Sequence, residues 1–156
     1  MICILDYGSG NLQSVKNALD YLDCDSEITN DKTRLMNADK IIIPGVGAFN
    51  DAIKELVEND LFLFVKELIT KKPTLGICLG MQLLFEESEE NCLTKGFGAI
   101  KGRIVKINQD LIIPHMGWNE LIENKKSFLT KGVKEHSYVY FVHSYMAECL
   151  SDNVIM

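Results

Sequence analysis

Apolar residues run unbroken from Ile2 to Leu5, stop at Asp6-Tyr7-Gly8-Ser9-Gly10, and then recur as Leu12, Val15, Ala18, Leu19 and Leu22. The first spacing suits a buried strand and the second one face of an amphipathic helix, so the chain is expected to open as strand, tight loop, helix. A second strand is expected around residues Glu27 to Thr29. A third covers Lys40 to Ile43, where three consecutive isoleucines indicate burial on both faces of a parallel sheet before the chain breaks at Pro44-Gly45. From Asn50 to Lys71 the pattern is helical, with Ile53, Leu56 and Val57 on one stripe, Leu61, Phe64, Val65 and Leu68 on the next, and a break at Asn59-Asp60. A short apolar run, Pro73 to Cys78, leads into a helix expected to hold Leu79, Leu83, Leu84 and Phe85. The acidic stretch Glu86-Glu87-Ser88-Glu89-Glu90 reads as the solvated end of that helix, because carboxylates are seldom buried.

Past Gly96 the apolar segments shorten and alternate: Arg103 to Ile107, Leu111 to Ile113, Trp118 to Ile122 and Tyr138 to Val142. These are expected strands, some of them antiparallel. Strands alternating with helices in the first half predict an α/β fold with a largely parallel sheet, since parallel neighbours need crossover helices. No internal repeat or linker divides the 156 residues, which are expected to form a single domain over 1–156.

Composition narrows the function classes. With 47% hydrophobic and 24% charged residues the chain has the means to build a packed core. A net charge of -6 and scattered lysines leave no basic field for a phosphate backbone, so no nucleic-acid partner is expected. The longest apolar stretch, Leu61 to Val65, is far too short for a bilayer, and MICILDYG lacks the basic head of a signal peptide; a cytoplasmic protein with no membrane partner is expected. The cysteines at 3, 24, 78, 92 and 149 are odd in number and widely spaced, which argues against a disulfide framework and against a zinc cage. Most are expected to be buried small hydrophobes.

Cys78 stands apart. Gly76-Ile77-Cys78-Leu79-Gly80 fits the pattern G-x-nucleophile-x-G between a strand and a helix. The glycines permit a sharp turn that lifts the side chain above the sheet, and the helix start presents unpaired N–H groups; a thiol so placed gains thiolate character and nucleophilicity. A nucleophile attacking a carbonyl also needs donors for the developing oxyanion. Pro44-Gly45-Val46-Gly47 follows the strand expected to lie beside the Cys78 strand, so the Leu79 N–H and a backbone N–H near Val46 are the expected hole. Gly8-Ser9-Gly10 is no dinucleotide fingerprint, because Gln13 stands where its third glycine is required. Histidines 115, 136 and 143 are the available bases, and spacing alone does not select among them.

Taken together, LDYGSGNL at 5–12, PGVGAF at 44–49, GICLGMQLLF at 76–85, PHMGWN at 114–119 and YFVHSY at 140–145 resemble, in that order, the glutaminase subunit of imidazole glycerol phosphate synthase. GICLGMQ by itself resembles the wider class I glutamine amidotransferases, which use a Cys-His-Glu triad. The resemblance implies a three-layer α/β domain whose Cys78 attacks the glutamine carboxamide, forms a glutamyl thioester and releases glutamate, without a cofactor or metal. It implies Val46 and Leu79 as oxyanion donors and Gly47, Gln82, Ser144 and Tyr145 as residues that hold glutamine. It further implies that Asn11 and the segment Pro114, His115, Met116, Gly117, Trp118, Asn119 face a barrel-fold cyclase subunit in a heterodimer, which receives the ammonia.

The family keeps its triad histidine and glutamate in an F-H-P-E segment near the C-terminus, and none occurs in these 156 residues. His143 belongs to YFVHSY, which in the family is not the triad base. A C-terminally truncated chain, lacking the final elements of the fold, is therefore expected. Three other readings stand beside the leading one: a glutaminase serving a surface-sugar amidation enzyme, an inactive module that docks on a barrel partner, and a stand-alone elbow-cysteine hydrolase or redox sensor.

Overall fold

The computed structural model describes residues 1–107, 112–149 and 151–156. Strands β1 (Ile2–Leu5), β2 (Ser26–Thr29), β3 (Lys40–Ile43) and β4 (Thr74–Gly76) form one sheet in the order β2-β1-β3-β4, with every pair parallel. The crossovers carry helices α1 (Leu12–Tyr21), α2 (Lys32–Asn37), α3 (Phe49–Glu58) and α4 (Phe62–Leu68). Alternate strand residues point to opposite faces. Cys3, Leu5, Ile41 and Ile43 pack in one core with Leu35, Leu56, Val65 and Leu68, whereas Ile4 and Ile42 meet Leu19 and Val15 of α1 on the other face. The isoleucine run therefore marks a strand covered on both sides, giving helix, sheet and helix layers.

Two helix starts are capped by the side chains that sequence rules favour: Asn11 accepts from the Ser14 N–H at 3.1 Å and Asp31 from the Arg34 N–H at 2.9 Å. The long helical pattern divides at Asn59-Asp60 as expected, where Asp60 takes a positive φ of 54° and Leu61 N–H reaches back to Leu56 O. Helix α2 is absent from the sequence reading because its six residues bury only Leu35, too little for a periodic stripe.

A second sheet, in the order β10-β7-β5-β6, joins β5 (Phe85–Ser88), β6 (Thr94–Lys95), β7 (Ile100–Lys106) and β10 (Tyr145–Glu148). Its central pair is parallel and its outer pairs are antiparallel. Here the structure corrects the expected helix over Leu79 to Phe85 with its solvated acidic end. Helix α5 (Leu79–Gln82) is a single turn, and Phe85 to Ser88 is a strand with both ends buried. Its carboxylates are engaged with the fold: Glu86 accepts from the Gly102 N–H and Glu89 from the Lys106 N–H, both at 2.9 Å, while Glu87 pairs with Lys95 at 2.6 Å.

A two-stranded antiparallel hairpin follows, β8 (His115–Glu120) with β9 (Tyr138–His143), in the register Trp118 to Tyr140. The expected strand at Trp118 to Ile122 thus starts earlier, at His115. Of the strand expected at Leu111 to Ile113, Leu111 lies outside the described residues, and Ile112 and Ile113 are not in a strand. No helix among the described residues is long and apolar enough to cross a membrane.

Candidate active site

Strands β3 and β4 are neighbours, with Ile43 opposite Gly76, and Ile77 N–H extends the ladder by donating to Ile43 O at 2.9 Å. The chain then turns at Cys78, whose φ of 54° and ψ of -115° lie where an L-residue is strained. The two glycines of the pattern are steric requirements. A Cβ on Gly76 would lie 2.5 Å from the Met81 Cα, and one on Gly80 would lie 1.8 Å from Ile43 O. With no side chain at either position, the turn closes tightly enough to leave Cys78 exposed while Leu79 is buried. Helix α5 spans four residues, so the helix expected behind the thiol reduces to one turn.

The segment 44–48 lies against this elbow. A Cβ on Gly45 would fall 3.0 Å from the Gly80 N and 2.5 Å from the Tyr7 Oη. Tyr7 Oη donates to Pro44 O at 2.9 Å, and Ser9 Oγ donates to Val46 O at 2.7 Å. The Gly8-Ser9-Gly10 turn therefore props up the neighbouring loop, which accounts for glycines that do not make a phosphate cradle. Burial pushes the Tyr7 phenol up to about 12, against the opposing Ser9 hydrogen bond and with a smaller contribution from charge at Cys78. The Val46, Gly47 and Leu79 N–H groups make no backbone hydrogen bond among the described residues.

Seven of the residues singled out from sequence share the walls of one cavity of about 290 Å³: Val46, Gly47, Cys78, Leu79, Gln82, Ser144 and Tyr145. Glu90, Val142 and His143 complete its lining. An adjoining space of about 500 Å³ opens from Cys78 toward Met81, Tyr140 and Met146. Burial raises the Tyr145 phenol, and the negative charges of Glu90 and Glu89 add to it. Glu90 is the functional candidate that the sequence reading missed, having been assigned to a solvated helix end. Its Oε2 accepts from the Phe49 N–H at 2.8 Å, across 41 residues, and nothing local in the sequence signals that pairing.

Of the three histidines, His143 shares this cavity with Cys78, and its Nδ1–H donates to Tyr145 O at 2.9 Å. His136 donates to the Glu120 carboxylate at 3.0 Å, and His115 packs edge-on against His143 with ring centres 5.4 Å apart. Asn11 caps α1, Pro114 precedes β8, and His115, Met116, Gly117, Trp118 and Asn119 lie in β8. His115 and Asn119 line a separate hollow of about 660 Å³ with Phe141 and His143. The other cysteines correct one expectation: Cys3 alone is buried, Cys24 and Cys149 are half-buried, and Cys92 is exposed.

A nucleophile elbow on the carboxyl end of a parallel strand, facing unpaired amides of the adjacent loop, defines a class of cysteine-dependent acyl-transfer domain. The model for class I glutamine amidotransferases matches residues 3–156, and the chain belongs to that family. Among its relatives, imidazole glycerol phosphate synthase subunit HisH of Bacillus cereus (strain G9842) is 49% identical over 150 residues, covering 96% of this chain and 72% of that protein. The HisH subunit of Listeria welshimeri serovar 6b is 44% identical over 158 residues, covering 99% of this chain and 76% of that protein. A solved structure described as a glutamine amidotransferase superposes with a TM-score of 0.72 at 18% identity, covering 96% of this chain and 74% of that one, and so shares the fold.

Proposed function

We propose that this chain is the glutaminase subunit of an imidazole glycerol phosphate synthase, working in histidine biosynthesis with Cys78 as its nucleophile. The observation that carries the reading is the convergence of an exposed thiol, strained at a positive φ, with the unpaired amides of Val46 and Leu79 in one cavity. Attack of Cys78 Sγ on the glutamine carboxamide carbon moves the carbonyl electron pair onto oxygen, where those two N–H groups stabilise it. Collapse of the tetrahedral species expels the protonated nitrogen as ammonia and leaves a glutamyl thioester, which water opens to glutamate and free thiol. Gly47, Gln82, Ser144 and Tyr145 hold the amino acid. Glu90, the acidic side chain of the lining, meets its α-ammonium.

The ammonia passes to a barrel-fold cyclase subunit docked over Asn11 and Pro114 to Asn119. The exposure of Met116 and Trp118 on β8 supports an interface there. Residues 1–156 contain no F-H-P-E segment. Turnover by these residues alone is therefore slower by about a hundredfold to ten-thousandfold than by a version extended with that segment, the range a general base contributes.

The test uses a chloroketone analogue of glutamine, in which a chloromethyl group replaces the amide nitrogen and the thiol displaces chloride. Saturable labelling of the Cys78 peptide, slowed by added glutamine and abolished in Cys78→Ala, is the expected result by mass spectrometry. Labelling that glutamine does not slow, or that falls equally on the other four cysteines, would defeat the assignment.

A further inference from the structure

The geometry points to Glu90 as a positioning residue that couples recognition of glutamine to the loop supplying an oxyanion donor. The inference rests on the glutaminase reading above and extends it to how the loop is held. Segment 44–49 is fastened at three points: Tyr7 Oη grips Pro44 O, Ser9 Oγ grips Val46 O, and Glu90 Oε2 grips the Phe49 N–H. The first two hold carbonyls from outside the cavity. The third comes from a side chain that lines the cavity.

Local sequence leaves this job undone. The N-cap of α3 is Ala48, which makes no side-chain cap hydrogen bond, so the first turn of a ten-residue helix would leave its amides without a side-chain partner. Glu90 supplies the acceptor from across the fold, and its backbone is held in place on both sides. Its N–H donates to the Oγ of Ser88, a fully buried residue ending β5, at 3.1 Å, and the next residue, Asn91, donates from Nδ2 to Asn50 Oδ1 at 3.1 Å. The Glu90 segment is thus tied to the second sheet on one side and to the first turn of α3 on the other. Among the described residues the second carboxylate oxygen has no hydrogen-bond partner. One oxygen is engaged with the loop, leaving the other for a cationic group in the cavity. Phe49 lies three residues beyond Val46, with Gly47 at a φ of 98° between them, so fixing the Phe49 amide limits where the Val46 amide can point.

The two functions of the carboxylate separate by substitution. Glu90→Gln keeps an oxygen that can accept from Phe49 and removes the charge, whereas Glu90→Ala removes both. With the chloroketone probe, Glu90→Gln is expected to raise the half-saturating concentration about tenfold or more while the maximal labelling rate of Cys78 stays within about twofold. Glu90→Ala is expected to raise the half-saturating concentration similarly and to lower the maximal rate about tenfold as well. The chloroketone reacts by thiol addition to its ketone, whose oxygen occupies the oxyanion site before chloride leaves. Its maximal rate is therefore read as a ratio to that of iodoacetamide, whose iodide is displaced directly at carbon and which reports the thiol alone. Amide exchange at Phe49, followed by NMR, should match wild type in Glu90→Gln and be faster in Glu90→Ala.

A wild-type maximal rate in Glu90→Ala would reduce Glu90 to a ligand contact and overturn the coupling. Equal loss of maximal rate in both variants would overturn it too, because the shared acceptor oxygen would then be irrelevant. Should Glu90→Ala not fold, a rise in half-saturation at constant maximal rate and unchanged Phe49 exchange in Glu90→Gln still supports the proposal, and any other pattern overturns it. Failure of the wild-type chain to be labelled saturably would remove the glutaminase reading and this inference together, whereas normal wild-type saturation with unresponsive variants would remove the inference alone.

Discussion

Cys78 occupies a backbone conformation that an L-residue tolerates poorly, and its exposure depends on that conformation. Strain of this kind costs about 1–3 kcal/mol and persists only where surrounding structure enforces it. Ile77 N–H bonded to Ile43 O and the missing side chains at Gly76 and Gly80 are the enforcing contacts. Replacing Cys78 by Gly should therefore yield a chain about 1 kcal/mol more stable in urea than Cys78→Ala, after allowing for the extra freedom of glycine in the unfolded chain, while both remain unlabelled. Equal midpoints would show that the corner is unstrained. Tyr7 gives a second residue-scale test. Its folded value of about 12 exceeds the ordinary 10.0, so its contribution to stability is complete below pH 10 and is lost as pH rises toward 12, where the unfolded chain releases the proton first. Tyr7→Phe should remove that part of the alkaline slope and cost about 1 kcal/mol at neutral pH through the lost bond to Pro44 O.

At the scale of elements, β5 carries the main lesson. Four glutamates in five residues suggest a wet surface, yet Phe85 and Ser88 are buried and Glu86, Glu89 and Glu90 each accept a backbone N–H from a distant segment. Those partners lie 16, 17 and 41 residues away, so neither periodicity nor composition could reveal them. Buried Ser88 is the anchor of the set, because its Oγ accepts the Glu90 N–H. Ser88→Ala should destabilise the chain by about 1–2 kcal/mol, measured by chemical denaturation, since a backbone donor loses its partner. It should also weaken chloroketone labelling by displacing Glu90. The β1 and β3 strands and the Asn59-Asp60 break were legible because contiguous apolar runs and turn residues act locally. Helix α2 and strand β10 were not, since α2 buries only Leu35 and β10 is defined by its pairing with β7 and not by its own pattern.

Over the whole molecule, the β8–β9 hairpin presents an apolar face that the rest of the described structure leaves open. Met116, Trp118, Tyr138, Tyr140 and Val142 share that face and are all exposed, Trp118 at 66%. An exposed apolar face of this kind supports the proposed docking of a cyclase subunit there. Trp118 is the only tryptophan in the chain, which makes it a specific reporter. Mixing with the cyclase subunit should shift its fluorescence to shorter wavelength and slow amide exchange across 115–120. An unchanged spectrum alongside demonstrated binding would place the interface elsewhere.

The residues by themselves determined the strand-to-helix corner at Cys78, the glycines that frame it, the companion loop after β3 and the parallel α/β core, because each is written within a handful of neighbouring positions. Tertiary structure alone decided that His143 is the histidine sharing a cavity with Cys78 and that Glu90 ties the wall of that cavity to the loop, while Ser144 and Tyr145, brought to the site before only by the family resemblance, line the same cavity. The physical reason is range: steric turn rules and side-chain periodicity operate over a few residues, whereas a hydrogen bond from residue 49 to residue 90 exists only after both sheets have folded.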